Sequence, residues 1–84
     1  MIVYSVKSNL DREKVLKKAK AHFGEELGLE VEDKGACCLY FSLPNSVGYV
    51  SVRITSEADE TPVKVRLETR EFKYQVEQFM KQIR

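Results

Sequence analysis

From Val63 to Arg70 the chain alternates without a break, with Val63, Val65, Leu67 and Thr69 between Lys64, Arg66, Glu68 and Arg70. At Glu71 this period of two gives way to a helical period, with Phe72, Val76, Phe79 and Ile83 on one stripe and Met80 at its edge. A strand with one apolar face therefore runs into a helix with one apolar stripe. Each can bury that side only against another element, so the pattern demands two layers.

The same one-sidedness recurs upstream. Residues 2–7 read as a strand with Ile2, Tyr4 and Val6 on one face and Val3, Ser5 and Lys7 on the other. Ser8 and Asn9 offer N-cap oxygens, and Asp11 and Glu13 suit the positive end of a following helix. Val15, Leu16, Ala19, Phe23 and Leu27 form its stripe, Gly28 is its expected C-cap, and Gly24 weakens its last turn. Leu29 to Glu32 alternates again, and Asp33-Lys34-Gly35 reads as a three-residue hairpin loop. That loop pairs Glu32 with Ala36, Val31 with Cys37 and Leu29 with Leu39. Cys37, Leu39, Phe41 and Leu43 then point inward until Pro44-Asn45-Ser46 breaks the strand. Gly48, Val50, Val52 and Ile54 form the inward row of the next strand. An acidic turn from Glu57 to Pro62 leads to the last strand.

The fold class predicted is α+β, a single domain over residues 1–84 with element order β-α-β-β-β-β-α. Two layers are expected, an antiparallel sheet with both helices on one face and the other face open. This order resembles one repeat of the TATA-binding protein and, more loosely, the helix-grip domains, which hold ligands under their last helix. The resemblance lies in the order of elements and brings no site residue with it.

Composition narrows the function classes. Fourteen Lys and Arg face 13 Asp and Glu, a net charge of +1, which argues against a general polyanion binder. The charge is uneven, however: residues 7–20 carry a net +4 and residues 25–33 a net −5. The basic face of the first helix reads as solvated surface supported by Glu13 and Lys17 at i, i+4. No stretch approaches a membrane span, and the first residues carry no signal-peptide pattern. Adjacent strand residues point to opposite faces, so Cys37 and Cys38 are expected as reduced thiols, Cys37 inward and Cys38 outward, in a cytoplasmic protein. With one histidine and no Cys-x-x-Cys or phosphate-binding loop, neither a metal nor a cofactor is expected. His22, at the flank of the first helix, reads as a half-packed boundary residue, and no enzyme activity is expected.

Function is expected on the open face. Pairing across an Asn45-Ser46 turn opposes Ser42 to Tyr49 and Tyr40 to Ser51, which makes the two tyrosines diagonal neighbours. The candidate interaction surface is Val3, Cys38, Tyr40, Tyr49, Arg53, Lys64 and Arg66. Its expected partner is a protein, with a second copy of the chain as one form of it. A single-stranded nucleic acid would use the same rings and cations but is disfavoured by Glu30, Glu32 and Glu68. A helix-grip ligand under the last helix is a third reading. Its lining would be Phe41, Val52, Val65, Phe72, Val76 and Phe79, which are expected to fill the core instead.

Overall fold

The computed structural model describes residues 1–35, 37–57 and 60–84. Its elements are β1 (Ile2–Ser8), α1 (Arg12–Ala19), a π-helical continuation (Lys20–Glu26), β2 (Glu30–Asp33), β3 (Cys38–Ser42), β4 (Tyr49–Ile54), β5 (Val63–Arg70) and α2 (Lys73–Ile83). The five strands form one antiparallel sheet in the order β1-β5-β4-β3-β2. This is the two-layer α+β architecture the periodicity demands. The first strand lies beside the last, because pairing Tyr4 with Leu67 and Val6 with Val65 puts both inward rows under the helices.

The core lies between the sheet and the helices. Val15, Ala19 and Phe23 from the first helix meet Val76, Phe79 and Ile83 from α2 over Leu39, Phe41, Val50, Val52, Val65 and Leu67. The Phe23 ring packs 5.3 Å from Phe41 and 5.1 Å from Phe79, so aromatic side chains fill the space beneath α2. Thr69 is the polar member of the inward row, and its hydroxyl donates to the Tyr49 carbonyl at 2.8 Å. That bond removes most of the cost of burying it.

Several local expectations are corrected. Asp11 is the N-cap, accepting from Lys14 N at 2.8 Å. Ser8 instead accepts from Leu10 N at 3.1 Å and donates to the Ile83 carbonyl, tying β1 to the last turn of α2. The first helix widens after Ala19, with Leu27 N bonding to the His22 carbonyl at 3.3 Å. This winding turns His22 and Phe23 inward together. Gly28, at φ 74°, then reverses the chain so that Leu29 N reaches the Phe23 carbonyl at 3.1 Å.

The hairpin after β2 is longer than its residues suggest. Glu32 pairs with Tyr40 and Asp33 with Leu39, so the partner of Glu32 moves four positions from the expected Ala36, which itself lies outside the described residues. The Asp33 side chain accepts from Gly35 N at 3.0 Å, Gly35 takes φ 106°, and Lys34 N bonds to the Cys38 carbonyl at 3.0 Å. These contacts hold a loop that a three-residue turn cannot make. The shift is even, so each side chain of β2 keeps its face. Val31 nonetheless stays 48% exposed, and Leu43 is exposed beyond the end of β3. Ala58 and Asp59 of the acidic turn also lie outside the described residues.

Candidate functional site

The strand pairings arrange the uncovered face in rows. One row runs Arg70, Tyr49, Ser42, Glu30, and the next Val3, Glu68, Ser51, Tyr40, Glu32. A third runs Ser5, Arg66, Arg53, Cys38, and beyond it Lys7 opposes Lys64. Tyr40 and Tyr49 take the expected positions opposite Ser51 and Ser42 and stack on each other, centroids 5.6 Å apart and planes 17° apart. The Lys34 ammonium lies 5.9 Å from the Tyr40 centroid. The ring faces that a base would use are thus partly engaged by the protein itself. Val3, 42% exposed, is separated from Tyr40 by Glu68 and Ser51, so the candidate apolar residues do not form one patch.

The Tyr49 hydroxyl donates to Glu68 Oε2 at 2.8 Å. Ionising the phenol would break that bond and set two anions together, so the hydrogen bond first, then desolvation and the Glu68 charge, raise the Tyr49 pKa above its ordinary value. Tyr4, which donates to Glu77 Oε2 of α2 at 2.8 Å, is raised for the same reasons. A raised pKa contributes stability that is fully present below the ordinary tyrosine range and is lost as pH climbs through the folded-state value. In an absorbance titration Tyr4 and Tyr49 are expected to ionise above the ordinary tyrosine range, and Glu68→Ala should bring the Tyr49 transition down alone. Ionisation of Tyr4 and Tyr49 within the ordinary tyrosine range would contradict these bonds.

Basic charge concentrates where the third and fourth rows meet. Arg53 and Arg66 are directly opposed, as are Lys7 and Lys64, an arrangement that destabilises an antiparallel pair. Lys64 is balanced by Glu60, 3.1 Å away on the acidic turn. The Glu60 carboxyl is held below the usual carboxylate range chiefly by the Glu57 N–H, which it accepts at 3.1 Å, and then by its bond to Lys64. Arg53, Arg66 and Lys7 have no ion-pair partner among the described residues. Arg53 and Arg66, with Ser51 and Glu68, line a depression of about 160 Å³. It shares Ser51 and Arg53 with a second depression of about 360 Å³, whose other walls are Lys34, Cys37, Cys38, Leu39 and Tyr40.

No family model, curated protein or solved structure matches this chain. The site is therefore read from its own chemistry. The largest departure from the sequence reading is in the cysteines, for Cys37 and Cys38 are joined by a disulfide. Cys37 belongs to the turn before β3, so the alternation that would send adjacent strand side chains to opposite faces does not apply to it. Both cysteines are half-buried, and neither is a free thiol. Opposed cations were equally hidden in the sequence, because the turn joining β4 to β5 carries no residue pattern that dictates register.

His22 is buried rather than at a boundary. Its Nε2 donates to the Gln75 carbonyl at 3.0 Å and its Nδ1 accepts from Gln82 Nε2 at 3.3 Å, the tautomer being the one this network requires. Both partners belong to α2, and the ring also lies 4.8 Å from Phe23 and 5.9 Å from Phe79. These contacts make it a packing residue between helices. No helix among the described residues is long and apolar enough to cross a membrane.

Proposed function

We propose that the protein is an interaction module whose working surface is the open face of its sheet, and that its partner there is a second copy. The observation behind this reading is the polarity of charge across the face. Lys7, Lys64 and Arg66 lie on β1 and β5, while Glu30 and Glu32 lie on β2 at the opposite edge. A two-fold axis in the plane of the face and oblique to the strands, crossing β4 near its middle, would lay the corner of one copy that holds Glu30 and Glu32 over the diagonally opposite corner of the other that holds Lys7, Lys64 and Arg66, so unlike charges meet twice. An axis across the strands would set β2 on β2 and acid on acid. Self-complementarity of this kind is what an isologous dimer needs.

The flat footprint is about 24 by 20 Å from strand spacing and rise. That is smaller than the ~800 Å² per partner of a standard stable interface, so the dimer is expected to be weak and salt-sensitive. Arg53 lies near the axis and faces its own copy, so it has the opposite effect to Arg66. Sedimentation at high protein concentration is expected to show Arg66→Glu dispersing the dimer, Glu30→Lys/Glu32→Lys doing the same, and an equimolar mixture of the two forming a heterodimer. Arg53→Gln should tighten association. A monomer mass for the wild-type protein under these conditions would remove this reading.

The opposed cation pairs also favour a second reading, a single-stranded nucleic acid. It predicts that a labelled 20-mer binds at low salt and dissociates steeply as salt rises. No binding at low salt removes it. A cytoplasmic setting remains part of the proposal, and there a disulfide is of the transient or redox-sensing kind.

A further inference from the structure

We propose that the joined depressions around Arg53 form an exchange site for small thiols that carry a negative charge. Two observations converge on that ligand. The Cys37–Cys38 disulfide forms part of the wall of the larger depression, where an incoming sulfur can reach it. Arg53 stands directly opposite Cys38 across β3 and β4, lines both depressions and is directly opposed to Arg66. Glu68, the carboxylate lining the smaller depression, accepts the Tyr49 hydroxyl, and neither arginine has an ion-pair partner among the described residues. A carboxylate or phosphate on the ligand would relieve the guanidinium opposition while its thiol meets the disulfide.

The chemistry is thiol–disulfide exchange. The ligand thiolate attacks Cys37 Sγ and forms a mixed disulfide there. The bond to Cys38 breaks, and its electron pair leaves on Cys38 Sγ as a thiolate beside Arg53, whose charge favours that form. A second ligand thiolate attacks the ligand sulfur of the mixed disulfide and releases Cys37 as a thiolate. Overall two thiols are oxidised to one ligand disulfide, the protein disulfide is reduced to two thiols, and the two thiol protons pass to the cysteines. The loop is held for this by Lys34 N on the Cys38 carbonyl at 3.0 Å and by Ile54 N on the Cys37 carbonyl at 2.8 Å. The site belongs to a single chain and does not depend on dimer formation.

The test compares 3-mercaptopropionate, 2-mercaptoethanol and cysteamine at equal thiolate concentrations, using dilute air-oxidised protein. Reactions are stopped with acid and followed by alkylation and peptide mass. The anionic thiol is expected to open the disulfide about tenfold faster than the cationic one, with the neutral thiol between them and the spread shrinking as salt rises. Arg53→Gln/Arg66→Gln should abolish the preference and Arg53→Lys should retain it, while the circular dichroism of each variant reports its fold. The mixed disulfide should be found on Cys37. Equal rates for the three thiols, or air-oxidised protein in which Cys37 and Cys38 remain unjoined, would overturn the proposal.

Discussion

Replacing Phe79 with alanine is expected to remove about 3–5 kcal/mol of stability, the largest single-residue effect predicted for this protein. Phe79 is wholly buried and sits at the junction of both layers, its ring 5.1 Å from Phe23 and 5.9 Å from His22. Phe23 in turn packs against Phe41 of β3. Truncation therefore opens a cavity between two helices and the sheet at once, in a close-packed interior that relaxes only partly. A domain of this size has a total stability near the lower end of about 5–15 kcal/mol, so half or more is lost. At about 4–8 °C per kcal/mol the melting midpoint should fall by roughly 12–40 °C. The half-buried Phe72 truncated in the same way should cost less. A fall of only ~5 °C for Phe79→Ala would mean that the aromatic cluster does not hold the layers together.

Adding one methyl group at Gly48 is expected to cost about 1–3 kcal/mol, although nothing is removed. Gly48 is buried just before β4, where a Cβ atom would stand 2.8 Å from Phe72 Cε2, 3.3 Å from Phe72 Cζ and 3.2 Å from Glu71 Oε2. Phe72 is the N-cap residue of α2 and packs against the core, so its ring cannot swing away like the end of a flexible chain. The preceding Glu71 is already at φ 79°, in the left-handed region, and leaves the backbone little room to yield. Gly48 is thus required by close approach and not by its own conformational freedom. Chemical denaturation of Gly48→Ala, Phe72→Leu and the double variant checks this. The double variant should cost less than the two single costs together, because the smaller side chain makes room for the methyl group. Strict additivity would place the cause elsewhere.

Much of the fold was legible because each element has one apolar side. The last strand matches its periodic stretch residue for residue, and Tyr40 and Tyr49 meet as a short turn requires. Legibility failed where local rules compete. Ser8, Asn9 and Asp11 are all good caps, and only the bond of Ser8 to the end of α2 leaves Asp11 to start the helix. His22 looked marginal because an α-helical period puts it at the flank, whereas the π-helical turn carries it inward to Gln75. The candidate site was half visible. Its residues could be assigned to the open face, but Val3 proved remote from the tyrosines and the cysteines proved to be bonded.

Which residues face the helices and which face outward is set by side-chain alternation and the helical stripe, both local properties of consecutive residues in the chain. Those local patterns also dictate that one sheet face is left uncovered. Which residues become neighbours on that face is a matter of strand pairing. Setting β1 beside β5 and Arg53 opposite Arg66 depends on pairings between distant segments, which follow from burying both inward rows under two helices at once. The position of the Cys37–Cys38 bond beside Arg53 depends likewise on how far the preceding loop extends before β3 begins.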